Sequence, residues 1–153
     1  MSRRFVSFLE IYEKMQSPSS PTPPTTAPAH AFFIKPYVQR TWSWLAVGGH
    51  DGNPMRVAIF GAGKHTDWLI DTVSNITPTP EVTAVLDNKP GLTIWNKKTI
   101  KPENFNPSDA DIILLSSDTV ATKMAEQCKN LYGDKIKILN LYEGLPAGPY
   151  EKE

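Results

Sequence analysis

The chain has 153 residues, with 16 basic and 16 acidic side chains and an apolar share of 40%. That length suits one domain plus an extension, and the balanced charge leaves no net field to draw in nucleic acid or an anionic membrane. Its single cysteine, Cys128, excludes an internal disulfide and a multi-cysteine zinc site.

Residues 1–16 predict an amphipathic helix. Phe5, Phe8, Leu9, Tyr12 and Met15 recur at i, i+3, i+4 spacing between Arg3 and Met15, with Ser2 as a cap. Met1–Arg4 followed by Phe5–Leu9 has the charge order of a secretory leader. Glu10 and Glu13 interrupt the apolar run, however, and no small-residue cleavage site follows closely. No segment approaches the length of a membrane span, so the expectation is a cytoplasmic protein whose first helix packs on its own body, on a second copy in a homodimer, or on a partner enzyme. Residues 17–30 are rich in Pro, Ser and Thr and predict an extended linker, because proline fixes φ and removes backbone donors.

Residues 31–54 form an aromatic extension. Pro36 is expected to break it, leaving a helix over Tyr37–Ala46 that covers one face of a sheet, and Gly48–Pro54 is turn chemistry. Its rings could instead stack on a ligand base. His50 and Asp51 have no third partner in sequence range, so no metal site is expected.

From 55 to 153 the pattern alternates strand and helix. Strands are predicted at Val57–Phe60, Val82–Leu86, Asp111–Ser116 and, as an edge, Ile136–Leu141; helices are predicted at His65–Val73 and over Thr119–Tyr132, the latter carrying Cys128 as a packed residue. Such an order implies a parallel sheet with right-handed crossovers. Only residues 87–93 separate Leu86 from Ile94, and they include Pro90 and Gly91. A helical crossover needs about a dozen. The fold class is therefore α/β, a three-layer Rossmann-like parallel sheet with a reduced second crossover and an N-terminal helical extension.

The motif that carries chemistry is Gly61-Ala-Gly63-Lys-His-Thr66, between the first strand and the first helix of this unit. Two glycines of G-x-G-x-x-G are present and Thr66 stands at the third. Gly61 would permit the tight turn and Gly63 the close approach of a phosphate. The amides of Lys64, His65 and Thr66 would face that phosphate with the helix dipole behind them, and Lys64 adds a cation. Asp67 opposes this with a negative charge in the first turn. The run is not a P-loop, because Ala58 stands where its first glycine belongs and His65 follows the lysine.

Asp87 ends the second strand, where it either receives a ribose diol or forms the turn of Asp87–Pro90. Ser116 and Ser117 follow the central strand and either line the cleft or cap the next helix. His65 is the only histidine of the α/β unit. It would act as an acid or base on a bound ligand, or donate to a loop carbonyl. No catalytic residue is assigned.

The runs Val57–Gly63, Val85-Leu-Asp-Asn88, Gly91-Leu-Thr-Ile94, Ile100-Lys-Pro-Glu103 and Asp109–Ser117 resemble the small Rossmann-like domains of bacterial nucleotide-sugar and surface-polysaccharide biosynthesis. Examples are the N-terminal domain of sialic-acid-type sugar O-acyltransferases and the C-terminal domain of sugar C-methyltransferases. The tail Leu141–Tyr150 resembles that of other bacterial proteins of this layout. Lys64-His65-Thr66 replaces the Gly-His-Gly of the acyltransferase loop, Asn96 replaces a glycine before the third strand, and the acyltransferase catalytic half has no counterpart. The resemblance implies a domain that binds a nucleotide or nucleotide sugar, accessory to a separate catalytic unit. The alternatives are a small NAD-dependent oxidoreductase using His65 and a protein-interaction module without a ligand.

Overall fold

The computed structural model describes residues 6–7, 27–117 and 119–143. Five parallel strands make the main sheet: β1 (Val6–Ser7), β2 (Arg56–Phe60), β3 (Glu81–Leu86), β6 (Ile112–Leu115) and β7 (Lys137–Asn140), in the order β1-β7-β6-β2-β3. Helices α1 (Ala27–Val47) and α2 (Lys64–Val73) cover one face, and α3 (Ala121–Tyr132) covers the other. This is the expected three-layer α/β arrangement.

Residue alternation builds the two cores. Val57 and Ile59 of β2, with Ile112 and Leu114 of β6, meet α1 and α2; Ala58 and Phe60, with Ile113 and Leu115, meet α3. Strands fed from both sides in this way read as unbroken apolar runs, and β6 is buried at every position.

The chain leaves β2 through α2 to reach β3, then returns past β2 to β6 and continues through α3 to β7. The direction of winding therefore reverses between β2 and β6, which opens a crevice at their carboxyl ends. No α-helix lies in the second crossover. It holds a two-stranded antiparallel hairpin, β4 (Thr93–Ile94) and β5 (Lys97–Lys98), then 3-10 turns at Pro102–Asn104 and Pro107–Asp109. Thr99 holds the hairpin neck: its hydroxyl accepts from the amides of Gly91 and Leu92 and donates to the Leu92 carbonyl.

Four local expectations are corrected. Val6–Ser7 is a strand, paired in parallel with Leu139 and Asn140, where a helix over 1–16 was expected; its backbone satisfies the outer edge of β7. The rest of 1–16 lies outside the described residues. β7 is consequently not an edge strand, and three of its four residues are buried. Helix α1 begins at Ala27, inside the expected 17–30 linker, with Pro28 in the first turn, where a missing N–H costs little. Pro36 does not break the helix. An interior proline costs about 3 kcal/mol, but Ile34, Tyr37, Val38, Trp42 and Leu45 form one buried stripe on both sides of it. At about 1.5–3 kcal/mol for each large buried side chain, the stripe outweighs the break.

Candidate functional site

The crevice at the carboxyl ends of β2 and β6 is a cleft of ≈ 410 Å³ lined by Gly61, Gly63, Lys64, His65, Asp87, Ser116 and Ser117, together with Asn88, Val120 and Met124. Seven of the eight residues singled out from sequence thus share one cavity wall. Thr66 does not. It is fully buried behind the loop, where its hydroxyl donates to the Gly61 carbonyl at 2.7 Å. A side chain at the third-glycine position therefore closes the turn that a glycine there would leave open.

The two glycines do different work. Gly61 has φ +119°, and a Cβ on it would lie 2.7 Å from the Ser116 carbonyl oxygen. Its amide donates to Leu86 O at 2.7 Å, locking β2 to the end of β3. Gly63 has φ −103°, and a Cβ there would meet nothing within 4 Å. Its lack of a side chain leaves room in front of the first turn of α2, whose N-cap is Gly63 itself with no side-chain cap. First-turn amides left uncapped attract an anion. Lys64 is exposed beside them, and Asp67 is exposed one residue past the first three amides.

Asp87 acts as a latch. Its Oδ2 accepts from the amide of Ala62 at 2.9 Å and its Oδ1 from the amide of Lys89 at 2.8 Å. The turn expected of Asp87–Pro90 is formed through Lys89, and the same carboxylate also reaches the glycine loop on the cleft wall. Ser117 Oγ accepts from the amides of Thr119 and Val120, tightening the turn into α3. Ser116 is buried, with its hydroxyl beside His65 Nδ1 at 2.9 Å and Thr66 Oγ1 at 2.7 Å. His65 contacts Tyr142 Oη through its other ring nitrogen, and Trp68 and Tyr142 pack against its ring. It is 6% exposed. The expected donation to a loop carbonyl is replaced by these side-chain partners.

Sequence reasoning missed Asn88, Val120, Met124 and Tyr142. Asn88 was readable as the neighbour of Asp87, and it exchanges two hydrogen bonds with Gln127 of α3. Val120 and Met124 follow from the position of α3. Tyr142 carried no signal, since only the folded topology brings it to α2.

A larger depression of ≈ 1280 Å³ lies at the amino ends of the strands, between the Gly48–Asn53 loop, Ser108 and Lys135. Its main charged contact is internal: the Arg56 guanidinium meets Asp111 at 3.0 Å, and Asp111 also accepts from the Arg56 amide. That pairing raises the Arg56 pKa above its ordinary value. We place the site at the other end, because the crevice where winding reverses presents unpaired helix amides and the amino-end depression presents an already paired ion couple.

Among the described residues no group of His, Cys, Asp and Glu could hold a metal ion, and no helix is long and apolar enough to cross a membrane. Cys128 is fully buried on α3, and burial pushes its thiol up to about 12 from 9.0. The neutral thiol is therefore favoured in the folded state. Its contribution to stability is full below pH 9.0 and is lost as pH rises toward about 12. A thiol-alkylating reagent at pH 8 is expected to leave Cys128 unmodified in the native protein and to label it fully in denaturant; rapid native labelling would show an accessible thiolate instead.

Comparison with protein-family models, with curated proteins and with solved structures finds no match for this chain.

Proposed function

We propose that the protein binds a nucleotide-containing ligand, a nucleotide or nucleotide sugar, in the cleft at the carboxyl ends of β2 and β6, as an accessory to bacterial sugar or polysaccharide metabolism. One observation carries the reading. Gly63 leaves open space in front of the uncapped first turn of α2, inside a cleft formed where the sheet reverses its winding. Gly63 and the amides of Lys64 and His65 hold the phosphate and Lys64 neutralises it. Asp87 keeps the loop in place through Ala62 and retains spare lone pairs for a ribose hydroxyl. Val120 and Met124 supply an apolar wall.

The resemblance to sugar-biosynthesis domains supports the ligand class, and a nucleotide ligand suits a cytoplasmic protein. Oxidoreductase chemistry through His65 is the weaker reading, since both of its ring nitrogens already have protein partners. The strand pairing at Val6–Ser7 interrupts the helix expected over Arg3–Met15, which weakens that helix as a reason to expect a homodimer.

A thermal-shift panel of NAD(H), NADP(H), coenzyme A, ATP and the UDP, GDP, CDP and dTDP sugars tests the proposal. A ligand at a hundred times its Kd adds about 2.7 kcal/mol, and each kcal/mol is worth roughly 2–4 °C at this chain length. The expected result is a shift with one nucleotide class that is abolished in Gly63→Val, whose side chain fills the phosphate space. A flat panel, or a shift that survives Gly63→Val, contradicts it.

A further inference from the structure

Four polar side chains from three parts of the chain meet behind the glycine loop: Thr66 at 0%, Ser116 at 4%, and His65 and Tyr142 at 6% exposure. Their contacts form a line from Tyr142 Oη to His65 Nε2, from His65 Nδ1 to Ser116 Oγ, from Ser116 Oγ to Thr66 Oγ1, and from Thr66 Oγ1 to the Gly61 carbonyl. Filling all four contacts fixes the direction of the protons. A carbonyl oxygen cannot donate, so the Thr66 hydroxyl gives its proton to Gly61 O. Thr66 must then accept from Ser116. Ser116 has then used its one proton and accepts from Nδ1–H of His65. The neutral imidazole is left with Nε2 as an acceptor, which the Tyr142 hydroxyl fills.

The far end of this line is the first peptide group of the candidate loop. Gly61 sits at φ +119°, pressed against the Ser116 backbone, and the next amide, of Ala62, is held from the opposite side by Asp87. The Gly61–Ala62 unit is therefore clamped between a carboxylate and a directed relay. We infer that His65 and Tyr142 are positioning residues for the glycine loop: through Ser116 and Thr66 they set the Gly61 carbonyl, and with it the direction of the backbone that leads into the first turn of α2. The turn after β7, distant in sequence, thereby controls the geometry of the loop. What that loop presents to a ligand rests on the nucleotide reading above; the setting of its backbone does not.

The test uses the full chain labelled with nitrogen-15, first without ligand. At neutral pH the His65 ring should show a pyrrole-type Nδ1 and a pyridine-type Nε2. Tyr142→Phe keeps the ring against His65 but removes the donor. It should raise hydrogen exchange at the Gly61 and Ala62 amides by roughly tenfold, leaving the amides of β6 and the middle of α3 at their wild-type rates. Thr66→Val should give the same local pattern, and Thr66→Ser, which keeps the hydroxyl, should restore wild-type exchange. A proton on Nε2 in the neutral ring would overturn the inference. So would an exchange increase in Tyr142→Phe that is spread evenly over the chain or absent at Gly61 and Ala62. ADP and UDP are then titrated into wild type and Tyr142→Phe, with affinity expected to fall several-fold in the variant. If neither nucleotide binds the wild type, the exchange data alone decide the positioning role, and the ligand panel above decides the nucleotide reading.

Discussion

Gly61→Ala is expected to lower stability by roughly 3 kcal/mol or more, whereas Gly63→Ala, two residues away, should change it by less than about 1 kcal/mol. The difference follows from what a methyl group meets. At Gly61 the backbone sits at φ +119°, where an L-residue is strained by about 1–3 kcal/mol. The added Cβ also falls 2.7 Å from Ser116 O, and that oxygen belongs to backbone, which cannot swing aside. Relief requires β2 and β6 to separate at the ends where the Ser116 amide bonds Phe60 O, and it strains the Gly61 amide bond that ties β2 to Leu86 O of β3. At Gly63 the methyl enters open space. Urea denaturation of both variants checks this. At roughly 2–4 °C per kcal/mol, Gly61→Ala should also melt some 6–12 °C or more below wild type. Equal losses in the two variants would mean that the loop is not held as described.

Trp42→Ala should cost about 3–5 kcal/mol, the range for deleting a large buried aromatic. Trp42 is 2% exposed on α1 and donates through Nε1 to Thr79 Oγ1 at 3.1 Å. Its ring stacks on Trp95 at 5.6 Å with an interplanar angle of 17°. The stack anchors the tip of the β4–β5 hairpin, where Trp95 and Asn96 both have positive φ, 54° and 59°. An aromatic residue in that region costs about 1–2 kcal/mol, so the hairpin depends on its packing against α1. The substitution should therefore loosen residues 93–98 as well as lower global stability. Trp42→Phe, which keeps a ring but loses the donor, should cost markedly less. Urea denaturation with hydrogen exchange at the hairpin amides measures both effects. A loss below about 1 kcal/mol for Trp42→Ala would show that α1 is not the cover for this face.

The central unit was legible because its signals are local. Strands β2, β3 and β6 are apolar runs with clear stops, and the Gly61–Gly63 turn sits where a strand feeds a helix. The short link after Leu86 correctly announced a crossover without a helix. What escaped was set by contacts between distant parts of the chain. Val6–Ser7 lies within a run in which Phe5, Phe8 and Leu9 follow helical spacing, yet it pairs with Leu139 and Asn140 because β7 offers an unpaired edge. Pro36 is a sound breaker by local rules, but burial of Ile34 on one side and Tyr37 and Val38 on the other overrides it. That the glycines, Lys64, Asp87 and the two serines share one cleft wall was legible from type and position. The role of Thr66 was not, because a third-position threonine reads as a tolerated small residue until its hydroxyl is seen on Gly61 O. Tyr142 was beyond reach for the same reason as β1: its partner, His65, lies 77 positions away.

The proposed binding mode sets a nucleotide against the first turn of α2. The most direct measurement is an amide chemical-shift map of the nitrogen-15-labelled protein titrated with the best nucleotide or nucleotide sugar from the thermal panel. The largest shifts are expected at Ala62–Thr66, with a second group at Asp87–Asn88 and Ser117–Val120. Shifts centred instead on Arg56, Ser108 and Lys135, at the amino ends of the strands, would contradict it.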